Sequence, residues 1–173
     1  MHYRHRVFMH RGSGEDPKGY LQEIISKEDT VAELGCGTGF YCQYLKDLAA
    51  KVYCVEIDAK AIEEARQNIK AENAVFLNED AAHTSIPTGS LDAVLLANSF
   101  HDMDREAVYQ EILRVLKQNG KVIVIDWEKT ETAFGPPMWI RMSKGDYLSI
   151  FRDFKLEKEF KPSPYHYGLI FKR

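Results

Sequence analysis

The sequence predicts an α/β domain: a mostly parallel sheet with helices on both faces. Three observations carry this. Strand-like apolar runs alternate with helical stripes along most of the chain, Leu91–Ala97 is almost continuously apolar, and cap and turn residues stand where one pattern gives way to the next. Right-handed crossovers between parallel strands place the helices on both faces.

Asp16-Pro17 reads as a helix cap followed by proline at the first helical position, and Tyr20, Leu21, Ile24 and Ile25 continue it as a stripe. Thr30–Leu34 is a short apolar strand interrupted by Glu33. Tyr41, Tyr44, Leu45 and Leu48 mark the next helix, and Lys51–Val55 the second strand. In AKAIEEARQNIKAE, Ile62, Ala65 and Ile69 share a face with charges opposite, which predicts a third helix. Ala74–Leu77 and Leu91–Ala97 are the third and fourth strands. Val108, Ile112, Val115 and Leu116 follow as a helix, with Asn119-Gly120 as its left-handed stop. Lys121–Trp127 is the fifth strand. A short helix over Lys144–Phe151 precedes two strands separated by KPSP, an antiparallel hairpin.

The 173 residues fit one domain over 1–173, with residues 1–15 as an arm that could close as a lid or stay unstructured. A net charge of −3 provides no basic field for nucleic acid, and Arg4, Arg6 and Arg11 are too few to supply one. Three cysteines without CxxC spacing speak against a disulfide framework or structural zinc and for a reducing compartment. No run is long enough to span a membrane, and the N-terminal residues lack a secretory core, so a cytoplasmic protein is expected. His2, His5 and His10 match no helical ligand pair, and no metal is expected. Composition fixes no oligomeric state.

The segment VAELGCGTGF places Gly35, Gly37 and Gly39 between a strand and a helix. Position 40, where a dinucleotide-binding loop has its third glycine, is Phe40, and no Gly-Lys-Ser/Thr follows. Glu33, two residues before Gly35, would repel a pyrophosphate but favour a ligand carrying an ammonium and a sulfonium. Glu56 ends the second strand, where a carboxylate can accept both ribose hydroxyls. Asp80 follows the third, where it can accept from an adenine amino group beside the small Ala81. Gly39 reads as a packing glycine, Cys36 as a small filler, and Asp58 as the cap of the third helix.

VAELGCGTGF, VYCVEIDAKAIEEARQNI, LNEDAAHTSIPTGSLDAVLLANSFHDMD and RVLKQNGKVIVIDW span residues 31 to 127 in order. Together they resemble class I S-adenosylmethionine-dependent methyltransferases, in particular the small group similar to the ubiquinone/menaquinone-biosynthesis type. The resemblance implies a three-layer, doubly wound, Rossmann-like sheet of seven strands, with an antiparallel last strand inserted between the fifth and sixth. It also implies S-adenosylmethionine as methyl donor and S-adenosylhomocysteine as product. Glu33, Gly35 and Gly37 would lie near the methionine moiety, Glu56 on the ribose, and Asp80 and Ala81 at the adenine. Cys36, Ile57 and Asn98 complete the cofactor set.

Methyl transfer from a sulfonium is an in-line displacement, so positioning supplies much of the acceleration, and a protonated acceptor also needs a base. His101, after the fourth strand, is the candidate base. Phe100, Met138, Trp139, Tyr165, His166 and Tyr167 come from segments that reach the same edge and are the candidate acceptor pocket. A small-molecule acceptor is expected, with a non-catalytic S-adenosylmethionine sensor as the alternative.

Overall fold

The computed structural model describes residues 15–173. The N-terminal arm, with its arginines and histidines, lies outside the described residues apart from Glu15. Seven strands form one sheet in the order β3-β2-β1-β4-β5-β7-β6. These are β1 (Thr30–Leu34), β2 (Lys51–Val55), β3 (Ala74–Leu77), β4 (Leu91–Ala97), β5 (Leu116–Trp127), β6 (Lys155–Ser163) and β7 (His166–Lys172). Strands β1 to β5 pair in parallel, and β7 is antiparallel to both β5 and β6. The expected topology is therefore present, with the last strand inserted between the fifth and sixth.

The helices are α1 (Pro17–Leu21), α2 (Cys42–Leu48), α3 (Ala59–Asn68), α4 (Arg105–Val115) and α5 (Lys144–Ile150), with a 3₁₀ turn at Phe100–Asp102. Strand side chains alternate between two cores. Ala93, Leu95, Ile123 and Ile125 pack with residues of α1, α2 and α3, such as Leu21, Leu45 and Ile62. Val94, Leu96, Val122 and Val124 pack with residues of α4 and α5, such as Ile112 and Tyr147. This two-sided burial explains why the β4 sequence is a continuous run rather than an alternating one. Asp58 caps α3, accepting from Lys60 N at 2.9 Å and Ala61 N at 3.1 Å, a bond pair worth about 1 kcal/mol.

Two boundaries differ from the sequence reading. Asn119-Gly120 does not end a helix in left-handed geometry: α4 stops at Val115 with Leu116 extended, and β5 starts at Leu116. The intervening residues form an irregularity, since Leu91 pairs Leu116 while Ala93 pairs Lys121. Gly120 is needed for space, because a Cβ there would lie 2.4 Å from Leu116 Cγ. The hairpin turn also shifts, to Pro164-Tyr165. Pro162 stays inside β6, which tolerates it as an edge strand with a register break between Phe160 and Ser163.

The loop after β3 is pinned to α4 by Glu111. Its carboxylate accepts from Thr84 N at 2.8 Å, Thr84 Oγ1 at 2.7 Å and Arg114 Nη2 at 2.6 Å. Burial alone would raise the Glu111 pKa, but Arg114 and Thr84 outweigh it and hold the group at about 2. A folded-state value below the ordinary 4.5 means that the stabilisation is complete above 4.5 and lost as pH falls toward about 2. Glu111→Gln should therefore cost about 1–3 kcal/mol near neutrality. In urea unfolding, that difference should shrink steadily across the same acid window.

Candidate active site

A cleft of about 800 Å³ opens at the carboxyl edge of the parallel strands. Every β-to-α connection of a parallel sheet falls on this edge, so residues distant in sequence meet there. The loop after β1 is tied to β2, with Gly35 N and Cys36 N donating to Val55 O at 2.8 and 2.9 Å. Gly35 has φ +78°, and a Cβ on it would sit 2.6 Å from Met103 Cε and 2.7 Å from Ser99 Cβ. Glycine is thus required both for the backbone conformation and for the close approach of the segment after β4. Ser99 Oγ donates to Leu34 O at 2.9 Å and joins the two loops directly. Gly39 has the packing role expected, lying against Ala65 and Ile69 of the α3 region.

Glu56 braces the site. Its Oε2 accepts from Gly37 N at 2.9 Å and its Oε1 from Asp58 N at 3.0 Å. Asn78 Nδ2 donates to Glu56 O and Ile57 O at 2.9 and 3.0 Å, tying the end of β3 to the same turn. The described residues lining the cleft include seven carboxylates and one lysine, Lys60. That balance favours a cationic ligand and disfavours a pyrophosphate. Ile57 is 61% exposed and presents apolar surface to the cleft.

Of the sequence-predicted cofactor residues, Gly35, Cys36, Gly37, Glu56, Ile57, Asp80, Ala81 and Asn98 all line the cleft. Glu33 does not. It is 1% exposed, and its side chain lies on the α1–α3 face of β1, where Oε2 accepts from Cys42 Sγ at 3.1 Å. Alternation along the strand decides this, because Glu33 shares a face with Val31.

The expected acceptor pocket is not assembled. None of its six residues lines the cleft. Phe100 is fully buried against Tyr147 and Phe151. Tyr167 is buried and donates to Met142 O at 2.6 Å, and His166 is held by Ser163 Oγ at 2.7 Å. Tyr165 packs edge-on to Phe134, and Trp139 is 84% exposed. Met138 is half-buried and is not among the residues that line the cleft. The hairpin turn that was to bring three of them is consumed in closing β6 onto β7. In their place Met103, Trp127 and Pro136 border the cleft. The signal for Trp127 was present in the sequence: Asp126-Trp127 ends the fifth strand just as Glu56 follows the second.

His101 lines the cleft with its side chain 7% exposed, its Nδ1 3.9 Å from Asp126 Oδ1 and its Nε2 3.4 Å from Asp102 Oδ2. Asp126 is fully buried, accepting from Tyr147 Oη at 2.5 Å and Trp127 N at 2.8 Å. Burial pushes the Asp126 pKa up against the opposing pull of His101, Tyr147, the Trp127 N–H and Arg141. For His101 burial acts downward, but Asp102 and Asp126 outweigh it, with Arg105 opposing, and its pKa lies above the ordinary value. Among the described residues, three groups at the cleft have buried polar atoms without a hydrogen-bond partner: the Asn98 amide, His101 Nδ1 and Trp127 Nε1. Such atoms are costly unless a ligand satisfies them.

A family profile described as "Methyltransferase domain" matches residues 32–124. A Sulfolobus solfataricus protein, described with its crystal structure as a candidate type 11 methyltransferase, is 44% identical, with TM-score 0.85 over 93% of this chain and 94% of that one. A SAM-dependent methyltransferase from Aquifex aeolicus is 25% identical, with TM-score 0.84 over 91% and 89% of the two chains. Among curated relatives, the 2-methyl-6-phytyl-1,4-hydroquinone methyltransferase of Synechocystis is 32% identical over 59% of this chain. A ubiquinone/menaquinone biosynthesis C-methyltransferase of Campylobacter jejuni is 24% identical over 80% of it. The chain spans 33% of the length of the first of these relatives and 56% of the second.

The charges facing His101 are Asp102 from its own turn, Asp126 from β5 and Arg105 from α4. Asp126→Asn removes one carboxylate and keeps the shape, so the His101 imidazole should titrate at lower pH in the variant. A proton NMR titration of the histidine ring signals reads this directly, and an unchanged His101 midpoint would refute the coupling.

Proposed function

The chain belongs to the methyltransferase domain family, and on that footing we propose that it transfers the methyl group of S-adenosylmethionine to a small-molecule acceptor. The observation that carries this reading is the acidic cleft at the carboxyl edge, built on a side-chain-free loop at Gly35 and Gly37 and closed by Glu56 and Asp80. Its orphaned polar atoms and carboxylate excess suit a cationic nucleoside without phosphate. The curated relatives named for hydroquinone and quinone-biosynthesis methylation support a small acceptor.

When bound, S-adenosylmethionine supplies a methyl carbon activated by its sulfonium. The residues of the chain hold and orient it. Glu56, already fixed by Gly37 N and Asp58 N, accepts the ribose hydroxyls. Asp80, fixed through Ala82 N at 2.9 Å, takes the adenine amino group, and exposed Ile57 covers the ring. Gly35 and Gly37 let the backbone approach the methionine moiety, and Asn98 offers its amide there. Glu33 acts at one remove, below the loop. S-adenosylmethionine would give up its methyl group and keep the electron pair of the broken bond on sulfur, so the task left to the chain is to hold donor and acceptor in line. His101 removes the acceptor's proton, and Asp126 and Asp102 stabilise the resulting imidazolium.

Calorimetry with S-adenosylhomocysteine tests the cofactor reading. Binding should be seen with no corresponding NADH signal, and Gly35→Ala should weaken it about tenfold or more, because the added Cβ meets Met103 and Ser99. For the base, His101→Ala should leave that affinity within about twofold yet lower turnover about 10²–10⁴-fold with a protonated acceptor. Product-free binding across a broad acceptor panel would instead favour a sensor.

A further inference from the structure

Tyr147, on α5, is buried with its ring stacked on Phe100 at 5.7 Å and edge-on to Tyr167 at 6.3 Å. Its hydroxyl donates to Asp126 Oδ2 at 2.5 Å. The other oxygen of that carboxylate, Oδ1, accepts from Trp127 N at 2.8 Å and stands 3.9 Å from His101 Nδ1. Donors from α5 and from the end of β5 therefore fix both oxygens, and the carboxylate cannot turn away from the imidazole. Among the described residues Tyr147 is the only side chain that hydrogen-bonds to Asp126. Tyr167 gives its proton to Met142 O, and Arg141 donates to oxygens of the loop after β5 and lies over the Trp127 ring at 5.2 Å.

A gap of 3.9 Å is too long for a hydrogen bond, so Asp126 acts on His101 through its charge. That charge is costly in a fully buried group and lasts only where hydrogen bonds hold the carboxylate. Burial pushes the Asp126 pKa up, while His101, Tyr147, the Trp127 N–H and Arg141 pull against it. Burial and the adjacent Asp126 push the Tyr147 hydroxyl well above its ordinary value, so it keeps its proton and stays a donor. The titratable and charged groups facing Asp126 are thus His101 from the turn after β4, Tyr147 from α5, Tyr167 from β7 and Arg141 from the loop after β5. Those facing His101 are Asp102, Asp126 and Arg105. The two ring nitrogens are placed unequally. Nδ1 is buried toward Asp126, whereas Nε2 lies 3.4 Å from Asp102, which is 59% exposed and lines the cleft.

We propose that Tyr147 is a positioning residue for the His101 base: its hydroxyl locks the Asp126 carboxylate against Nδ1 of the ring, which leaves Nε2 as the nitrogen offered to the acceptor. The proposal rests on the methyltransferase reading, in which His101 takes the acceptor's proton. With Nδ1–H facing Asp126, the neutral ring has its lone pair on Nε2. The acceptor's bond to hydrogen breaks, an N–H bond forms on Nε2, and the electron pair stays on the acceptor atom. The imidazolium later returns that proton to water. Tyr147 does not line the cleft and acts through Asp126, setting the tautomer and the charge behind the ring.

Proton and ¹⁵N NMR of the histidine rings tests this without any ligand. His101→Asn assigns the His101 signals by their loss. In the wild type the neutral His101 ring should carry its proton on Nδ1. Tyr147→Phe keeps the ring packed on Phe100 and removes the hydroxyl. The Asp126 pKa then rises further, its neutral form stabilises the imidazolium less, and the His101 midpoint should move to lower pH with loss of the Nδ1–H preference. In an Asp126→Asn background the same substitution should leave the midpoint where it is, a coupling that a purely structural role of Tyr147 would not give. S-adenosylhomocysteine affinity, by calorimetry, should be unchanged in Tyr147→Phe. An Nε2–H tautomer in the wild type overturns the proposal whatever the variants do. So does a Tyr147→Phe midpoint equal to that of the wild type, or one that falls as far in the Asp126→Asn background. Absence of S-adenosylhomocysteine binding to the wild type would overturn the methyltransferase reading and the proposal with it, and is told apart because the ring titration uses no ligand.

Discussion

The parallel register of β3, β2, β1, β4 and β5 is the constraint on which the rest depends. It forces every turn that follows a strand onto one edge and every crossover helix onto a face. Backbone bonds across neighbouring strand tips then finish the work locally. Gly35 N and Cys36 N reach Val55 O, Glu56 N reaches Leu77 O, and Asn98 N reaches Ile125 O. Each loop is thereby anchored to the strand beside it, so the cleft is shaped before any ligand arrives.

Glu56 shows how one side chain can brace two turns and still line the cleft. Its two oxygens each hold a backbone N–H, which fixes the glycine loop and the start of α3 together. A carboxylate pinned in this way presents its charge at a constant place, and no side-chain entropy remains to be lost when a ligand is bound. Asp126 plays a similar part on the other side. Buried completely, it is bound by Tyr147 from α5 and by the backbone of Trp127, and it faces His101 across the cleft wall. A side chain that never touches solvent thus sets the electrostatics of a residue that lines the cleft.

The loop after β5 owes its shape to a buried cation rather than to apolar packing. Arg141 takes up four backbone carbonyls and a hydroxyl from residues 128 to 136. A lysine has one donor centre and could not span that set. The same guanidinium covers the Trp127 ring, so loop order and indole orientation are coupled.

The order of strands, the two helical faces and much of the cleft lining were legible in the sequence. Periodicity reports burial, and strand-tip positions such as Glu56 and Asp80 are set by local chain position. The cap at Asp58 was legible for the same reason, since its bonds close within three residues. The lining of the cleft contributed by β5 and the loop after it was not. Phe100, His166 and Tyr167 look from the sequence like pocket residues because they lie near the right edge. Only the packing of α5 and the β6–β7 hairpin decides that they face the core, and it is the register of β5 against β4 and β7 that brings Asp126 beside His101. Local bonding and burial are written in neighbouring residues. Which side chains meet across a cleft depends on contacts between segments tens of residues apart, and those exist only once the sheet has closed.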